Sequence, residues 1–437
     1  MSITSKKITY FLIAAIMAFS SLVVIQFSGR TMFLFLMILF VFWMLFYKKE
    51  ICLSSKVLPN LILLSLIGSL VSAFLSDMPF SYKKAAAFST MYEIPLYLSF
   101  CYISKELHQN TKILKSVLTG LKITVFVQLL WIPMQYVAYH VMHIDLNDLF
   151  FHRLFHFMDN ASFIRSWVYY PSGFTWHSAV IAPLFVIAFV LYRQPAVRLL
   201  IIVDSAICGS STALIGVMCS AAILLFFRLC DFVRTKQTLK SKKIMLSIAA
   251  VAAALAAAYA MGLLDSIFES IMYTISRLSD GSDDASTSTH LGYYTDYFKI
   301  LKRSSLMQII LGYGYGCSGY PISEMYGLYA DHASWAVECD IINILISRGM
   351  FGFVVYYILL GYILFSGFKV HRNYAAIMIP ILIEGFGYNI QWSYIYMIEL
   401  IFFILIHEKI SIFDKKNNTY RLLEMLSPKL SKAVRNT

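Results

Sequence analysis

Charged residues are scarce in this sequence. Asp, Glu, Lys and Arg together form 14% of its 437 residues, whereas a typical soluble domain carries about 25%. Hydrophobic residues form 59% of the chain, and its mean hydropathy is +0.69. A chain of this length and composition cannot bury its apolar surface in one water-soluble core. The composition therefore excludes a soluble globular protein and indicates an integral membrane protein.

Several chemical motifs are also absent. The seven cysteines include no Cys-x-x-Cys pair, which argues against a zinc site. No glycine-rich run is followed by Lys-Ser or Lys-Thr, which excludes a P-loop. No internal or inverted repeat of the transporter kind is evident. We therefore predict neither a bound metal nor a cofactor.

Long hydrophobic runs are abundant. A transmembrane helix needs roughly 20 mostly apolar residues. We predict about twelve spans in an all-α polytopic membrane protein, at 9–28, 31–47, 57–76, 85–104, 117–141, 173–192, 196–208, 210–229, 243–264, 351–370, 374–388 and 391–407. The seventh and eleventh are short, as in half-helices or kinked helices. The first run follows Lys6 and Lys7, but a second run follows it at once, so we expect a retained helix and not a cleaved leader.

The net charge of +12 suits either a nucleic-acid binder or the basic cytoplasmic loops of a membrane protein. With the N-terminus in the cytoplasm, the predicted outer segments hold ten of the 36 Lys and Arg, and the cytoplasmic segments hold the other 26. This bias favours the membrane interpretation, with both termini cytoplasmic and no nucleic-acid partner. The predicted organisation is nine spans over 1–264 with an outer loop at 142–172, a large outer loop at 265–350, three spans over 351–407, and a basic tail at 408–437.

The large outer loop contains the most informative motifs. Ser286 to Thr289 offer N-cap residues, and Leu291, Tyr294, Phe298 and Leu301 follow at the spacing of one helix face. That amphipathic helix suits either the membrane surface or a substrate contact. The run Gly312-Tyr313-Gly314-Tyr315-Gly316 comes next. It lacks the Thr-Val lead and the pore helix of a potassium filter, so we interpret it as a tight turn that lets two backbones approach.

A candidate general base follows this turn. Asp331 is a plausible N-cap for a helix that runs to Ser347, which would place His332 in its first turn. A helix N-terminus favours a neutral imidazole, whereas the Asp331 carboxylate favours the protonated one. A surface histidine that only caps a helix remains the alternative. Arg348 and Gly349 are predicted to end this helix before the next span.

The order of these features resembles the O-antigen polymerase (Wzy) and O-antigen ligase (WaaL) superfamily. The resemblance rests on a glycine-rich turn, a histidine followed by a helix, and the Gly349-x-x-Gly352 start of a late span. Pro171-Ser172-Gly173-Phe174, with Arg165 upstream, is similar to the family's segment before the sixth span. Cys208 to Ala213 is similar to its turn between the seventh and eighth spans. The family's Asn after His is Ala333 here, and the arginine expected in the latter turn is absent.

The resemblance implies a metal-independent, GT-C-like glycosyltransferase of the bacterial inner membrane whose active site faces the periplasm. Its substrate would be an undecaprenyl-diphosphate-linked oligosaccharide, and its partners membrane lipid and a Wzz-type chain-length regulator. The predicted site has three parts, namely a catalytic residue (His332), diphosphate-binding residues (Arg165, Arg277, Arg303) and glycan-contact residues (Trp335, His290, Tyr294). Arg153, Lys299, Lys302 and Arg348 form a second tier of cations.

Alternatives stay open at this stage. An O-antigen ligase would pass the glycan to lipid A core, and a flippase or proton-coupled transporter would use carboxylates inside the spans. Such carboxylates exist at Glu93, Asp204, Glu384 and Glu399, although they lie on four different spans. A subunit without activity is a further alternative. Cys317 and Cys339 share the large outer loop, either as a disulfide or as two thiols.

Overall fold

The computed structural model describes residues 3–27, 30–48, 53–109, 111–157, 164–165, 168–175, 178–235, 285–326, 337–388, 396–409 and 412. These residues are predominantly helical. The α-helices, in chain order, are α1 (Ile3–Phe19), α2 (Met32–Trp43), α3 (Val57–Leu75), α4 (Phe80–Gln109), α5 (Thr111–Met142), α6 (Ala182–Leu191), α7 (Pro195–Ile207), α8 (Ser211–Thr235), α9 (Ala285–Leu301), α10 (Leu306–Leu311), α11 (Gly319–Tyr326), α12 (Asp340–Val370), α13 (Asn373–Gly387) and α14 (Tyr396–His407). Met44–Lys48 and Asp148–Leu154 form π-helical turns, and Ser178–Ile181 forms a 3₁₀ turn.

Two small antiparallel strand pairs complete the described structure. Strand β1 (Gln26–Phe27) pairs with β2 (Arg30–Thr31), and Gln26 lies opposite Thr31. Strand β3 (Ile164–Arg165) pairs with β4 (Val168–Tyr169), and Ile164 lies opposite Tyr169. Each strand has two residues, so these pairs shape turns and do not form a sheet core.

Four helical stretches of the described chain are long and apolar enough to cross a membrane. They are Val57–Leu75, Lys112–Met142, Thr212–Asp231 and Asp340–Val370. Shorter apolar helices cover Met32–Phe46, Ala179–Leu191, Asn373–Phe386 and Ile398–His407. The protein is therefore an α-helical membrane protein, as its composition predicted. The ninth predicted span, 243–264, lies outside the described residues.

The short seventh predicted span is a 13-residue helix, α7, and it ends where the sequence placed its end. Pro195 starts the helix at a position where a missing backbone N–H costs nothing. At the other end Gly209 has a φ of +59°, which a glycine adopts readily. A Cβ at this position would collide with the ring of Tyr170. The chain therefore turns sharply between α7 and α8.

The centre of the helical bundle is α6. Every residue from Ala182 to Leu191 is buried, and a helix that is apolar on all sides must be surrounded by other helices. Helices α8 and α13 pack on α6 and on one another, while α1 packs along α5. One large apolar core joins these helices with α12 and α14.

A second apolar core lies where the loop helices cover the bundle. We use the term loop layer for residues 285–326 and 337–348. Its Tyr293, Tyr297 and Ile342 pack with Ala73 of α3 and Tyr82 of α4. This core fixes the large predicted outer loop on two helices from the N-terminal half of the chain.

The buried face of α9 differs from the predicted one. Tyr293, Asp296, Tyr297 and Ile300 are buried, whereas Phe298 is 65% exposed. The predicted stripe is therefore turned by one residue, which is about 100° around the helix. The two neighbouring stripes are both rich in aromatic and aliphatic side chains, so periodicity alone could not choose between them. The prediction that Ser286 to Thr289 precede the helix was also wrong, because α9 begins at Ala285.

The start of α12 is a second correction. The sequence predicted one helix from Asp331, but α12 begins at Asp340, and its N-cap Cys339 has extended backbone angles. Just before it, the N–H of Val337 donates to Ser318 Oγ at 2.9 Å. This contact and the burial of Cys339 fix the chain in an extended course. His332 therefore does not lie in the first turn of α12, and residues 327–336 lie outside the described residues.

Candidate functional site

The glycine-rich turn joins α10 to α11. A capping box starts α10, in which Ser305 and Gln308 each bond the other's backbone N–H. After α10 the chain turns through Gly312, Gly314 and Gly316, with φ values of +85°, +116° and +81°. Residues other than glycine rarely adopt such φ values, so the three glycines permit this path of the backbone.

The turn is placed against a break in α12. Gly349 has a φ of +64° and a ψ of −173° inside that helix, at the position where the sequence predicted an interruption. The N–H of Tyr313 donates to the carbonyl of Ile346 at 2.8 Å, and that of Gly314 donates to the carbonyl of Ser347 at 3.1 Å. The turn thus supplies donors to carbonyls at the break that would otherwise be buried without partners.

The two backbones approach so closely that a side chain does not fit between them. A Cβ on Gly312 would lie against the backbone of Ser347, and one on Gly349 would lie against the backbone of Ile310. Ser72 of α3 also donates its hydroxyl to the carbonyl of Gly312 at 2.5 Å. The interpretation of this run as a turn for close backbone approach is confirmed.

A buried charged cluster lies beneath the turn. The guanidinium carbon of Arg348 is 4.5 Å from the centre of the Tyr315 ring, and the Tyr315 hydroxyl donates to Glu93 Oε1 at 2.7 Å. Arg348 is 2% exposed and Glu93 is 9% exposed. The Glu93–Tyr315–Arg348 cluster therefore combines opposite charges with a cation–π contact at a site shielded from water. It joins α4, the turn and the break in α12.

Sequence reasoning considered Glu93 and Arg348 separately. Glu93 was one of four scattered carboxylates, and Arg348 was a second-tier phosphate contact. The structure brings them together through Tyr315, which no sequence pattern had connected to either. Since Arg348 is buried, it is suited to holding the turn on the bundle and not to contacting a soluble or lipid-linked anion directly.

Arg303 is the predicted diphosphate ligand whose side chain the structure describes. It is exposed in the bend after α9. The neighbouring Ser304 hydroxyl bonds the Tyr313 hydroxyl at 2.8 Å, so Arg303 lies at the edge of the glycine-rich turn. Its guanidinium is therefore accessible beside the turn. Arg165 lies in β3, and Arg277 lies outside the described residues.

Tyr294 joins two elements. Its hydroxyl donates to the carbonyl of Phe386 at 3.1 Å and accepts from Cys339 Sγ at 3.2 Å. These bonds connect α9 with α13 and with the start of α12. His290 lies on α9, while His332 and Trp335 lie outside the described residues. The roles assigned to these residues stay predictions.

A second held turn lies at Ser172 to Phe174, within the segment that resembles the family's entry to the sixth span. Sequence reasoning missed the side chains that hold it. Gly173 has a φ of +65°, and its N–H donates to Gln135 Oε1 at 2.8 Å. The N–H of Phe174 donates to Gln128 Oε1 at 2.9 Å. The amide of Asn147 donates to the carbonyl of Gly173 at 2.9 Å. Gln128 and Gln135 are seven residues apart on α5 and face the same side, which is a signal that the sequence offered.

Two carboxylates near this turn differ in environment. Asp145 Oδ1 accepts from the N–H groups of Asn147 and Asp148, yet burial raises the pKa of Asp145. Asp148 bonds His152 Nδ1 at 2.8 Å and Arg153 Nε at 2.6 Å. These partners, His152 first, lower the pKa of Asp148. Arg153, a second-tier cation, is therefore paired on the protein itself.

Cys317 and Cys339 are both buried and are not bonded to each other. Cys317 Sγ donates to the carbonyl of Tyr82 at 3.1 Å, and burial raises the pKa of its thiol to about 12. Cys339 Sγ lies 3.2 Å from the carbonyl oxygen of Phe386, beside the Tyr294 hydroxyl. Both thiols thus serve as packing groups between the loop layer and the bundle.

The other carboxylates inside the spans do not gather into one site. Glu399 accepts from the Tyr356 hydroxyl at 3.3 Å. Asp204 and Glu384 are buried, and neither has a hydrogen-bond partner among the residues that the structure describes. Within the same residues, no three His, Cys, Asp or Glu side chains are grouped as metal ligands.

Comparison with known proteins adds no relative. No protein-family model matches the sequence, and no curated protein sequence matches it significantly.

Proposed function

We propose that this protein is an O-antigen polymerase, a glycosyltransferase of the bacterial inner membrane. It transfers a growing glycan from undecaprenyl diphosphate to a sugar hydroxyl of an incoming lipid-linked repeat unit. One observation carries the proposal: backbone hydrogen bonds hold the glycine-rich turn on the break of α12, above the buried Glu93–Tyr315–Arg348 cluster. This fixes the loop layer on the bundle, and in the chain the segment that contains His332 joins two parts of that layer, 285–326 and 337–348.

The chain on both sides of that segment is anchored. The Tyr326 hydroxyl donates to Asp296 Oδ1 at 2.7 Å, and the N–H of Val337 donates to Ser318 Oγ. A catalytic group needs a rigid scaffold, because misplacement by even about 1 Å can cost roughly 100-fold in rate. The buried turn and its cluster provide such a scaffold.

The proposed reaction needs few groups. The acceptor hydroxyl oxygen attacks the anomeric carbon of the donor glycan, the bond from that carbon to the diphosphate oxygen breaks, and the diphosphate leaves with its electron pair. His332 takes the hydroxyl proton. Arg165, Arg277 and Arg303 neutralise the diphosphate, since a guanidinium matches phosphate oxygens in a fork. Trp335, His290 and Tyr294 line the path of the glycan.

Topology completes the proposal. About twelve spans of GT-C-like arrangement place both termini in the cytoplasm and the loop layer in the periplasm. Membrane lipid surrounds the bundle, and a Wzz-type regulator sets the chain length. Cations at the diphosphate make the transfer independent of a metal.

The test is the glycan ladder of a deletion strain that carries wild-type or variant protein at equal membrane abundance. We expect wild type to restore a ladder, and His332→Ala to leave only single-repeat glycan. His143→Asn, in the other outer loop, is the matched histidine control and should restore the ladder. Arg303→Lys should retain more activity than Arg303→Ala, because it keeps the charge but loses the fork.

Other outcomes select the other candidates. A ladder restored by His332→Ala refutes the assigned base but leaves the polymerase in place. If the deletion strain accumulates a glycan ladder that stays on its lipid carrier and is not transferred to lipid A core, the protein is a ligase. Loss of even the single-repeat glycan from the outer face indicates a transporter.

A further inference from the structure

The bundle has a concentration of positive charge at one end that the proposed reaction does not use. Arg193 lies between α6 and α7, Arg198 lies in the first turn of α7, and Arg228 lies near the end of α8. Lys122 of α5 lies towards the same end, because Phe126, one turn further along α5, contacts the ring of Tyr192 at the end of α6. Within the described parts of the chain, none of these four cations forms an ion pair.

The protein fixes Arg198 at the end of α6, where Arg193 directly follows Tyr192 in the chain. Arg198 Nε donates to the carbonyls of Phe189 and Tyr192, at 2.9 and 2.7 Å, so its side chain crosses the end of α6. Its guanidinium carbon is 5.0 Å from the centre of the Phe189 ring. Burial and the nearby charge of Arg228 lower the pKa of Arg193. A nearby carboxylate, Asp231, is already paired with Arg372.

An apolar groove adjoins these charges. It is an open, shallow hollow on the exposed face of α5, and its lining residues all belong to that helix: Thr119, Lys122, Ile123, Phe126, Val127 and Leu130. Phe126 connects it with the arginines, because its ring centre is 6.0 Å from that of Tyr192, the residue whose carbonyl binds Arg198. Lys122 Nζ lies 5.8 Å from the centre of the Phe126 ring. The groove therefore has a cationic end and an apolar length.

From this arrangement we infer a binding site for one anionic phospholipid. The headgroup phosphate lies among Arg193, Arg198, Arg228 and Lys122, and an acyl chain lies along the α5 groove. Charge complementarity selects this occupant over a zwitterionic lipid, because uncompensated like charges are relieved by an anion. The groove selects it over free phosphate, because only a lipid covers Ile123, Val127 and Leu130. The inference is independent of the proposed reaction.

Native mass spectrometry of the purified full-length protein tests the site with phosphatidylglycerol and phosphatidylcholine as probes. Arg193→Gln/Arg228→Gln removes two exposed charges. A basic residue near an anionic headgroup contributes about 1 kcal/mol, which is about fivefold in affinity, so we expect phosphatidylglycerol binding to weaken about 25-fold. Lys6→Gln/Lys7→Gln, also exposed and predicted to be cytoplasmic, should leave it within about twofold.

A second variant tests the groove. Val127→Trp fills the apolar part of the α5 groove and leaves the four basic residues unchanged. We expect this variant to bind phosphatidylglycerol more weakly than wild type and to keep the wild-type melting temperature. Three results would overturn the site: equal binding of both lipids by wild type, equal loss in the two double variants, or full displacement of the lipid by millimolar inorganic phosphate.

Discussion

The protein fixes two loop turns on its bundle by different chemistry. The turn at 312–316 is held by backbone contact: glycines lie on the break of α12, and N–H groups donate to carbonyls of the opposing backbone. The turn at 172–174 is held by side chains, because amides of Gln128, Gln135 and Asn147 bond its backbone. We call the first arrangement the backbone lock and the second the amide lock. The backbone lock leaves no space for a side chain between the two backbones, whereas the amide lock depends on single hydrogen bonds. The two turns should therefore respond differently to substitution.

The largest expected effect is at the backbone lock. Gly312→Ala places a methyl group against the backbone of Ser347 at a φ of +85°. We expect a loss of about 3–5 kcal/mol from strain and overpacking, which is a large part of the stability of a typical protein. Size-exclusion chromatography should show little monodisperse protein.

Gly292→Ala is the matched control for that substitution. A Cβ on Gly292 of α9 would have no atom within 4 Å. Alanine at such a helical position stabilises by about 0.4–1 kcal/mol, so the melting temperature should rise slightly. Equal behaviour of the two variants would refute a lock specific to the turn.

The amide lock should show an intermediate effect. Gln135→Leu leaves the buried N–H of Gly173 without its acceptor, and we expect a loss of about 1–3 kcal/mol, measured as a lower melting temperature in detergent. Gln194→Leu is the control, since Gln194 is exposed and its side chain makes no capping bond. A loss at Gln135 as large as that at Gly312 would remove the distinction between the two locks.

Beneath the backbone lock, Tyr315→Phe keeps the ring below Arg348 and removes the hydroxyl that donates to Glu93. We expect a loss of about 1–2 kcal/mol, because a buried bond to a carboxylate is broken. Tyr326→Phe removes a bond of equal length, 2.7 Å, to the carboxylate of Asp296. Tyr326 is 54% exposed, so water replaces that bond. Tyr326→Phe should therefore lower the melting temperature less than Tyr315→Phe does. Equal shifts would show that burial of the cluster does not matter.

The smallest effect concerns pH near the amide lock. The pKa of Asp148 is lowered, so its stabilising contribution is present above the unfolded pKa of about 3.9 and is lost as pH falls through the folded pKa. The pKa of Asp145 is raised, so its charge destabilises the fold above the folded pKa, and this cost disappears as pH falls.

At pH 7, Asp148→Asn should therefore lower the melting temperature and Asp145→Asn should raise it. The change in stability at Asp148 should be about 1 kcal/mol or less, because its ion pairs with His152 and Arg153 are partly exposed. The difference in melting temperature between the two variants should narrow as the pH falls to about 4, where the cost of the Asp145 charge disappears. It should close only as the pH falls further, through the folded pKa of Asp148. If the difference in melting temperature between the two variants stays constant as the pH falls, the assigned pKa shifts of Asp145 and Asp148 are wrong.

Much of this architecture could be predicted from the sequence. Hydropathy located helices from α1 to α8, and glycine indicated both the turn at 312–316 and the interruption at Gly349. These features depend on local chemistry: long apolar runs need lipid or a core, and positive φ needs glycine.

The errors arose where tertiary contacts decide. The continuous helix predicted from Asp331 to Ser347 was wrong over 337–339, because Val337 is bonded to Ser318 and α12 begins only at Asp340. The face of α9 was misjudged because two adjacent stripes are apolar. Pairing Glu93 with Arg348 required knowing that α4 and the break in α12 meet, which no local pattern states. Gln128 and Gln135 were visible as polar residues in a span but were not interpreted.

The interrupted helix α12 also bears on the order in which the molecule is made. Synthesis proceeds from the N-terminus, so Ser72, Glu93 and the glycine-rich turn all leave the ribosome before Ile346 and Ser347 do. The carbonyls at the interruption are therefore the last members of their contact set to be translated, and they meet donors that already exist. The contacts between the glycine-rich turn and the interruption can therefore form as soon as α12 has been translated, before α13 and α14 complete the bundle.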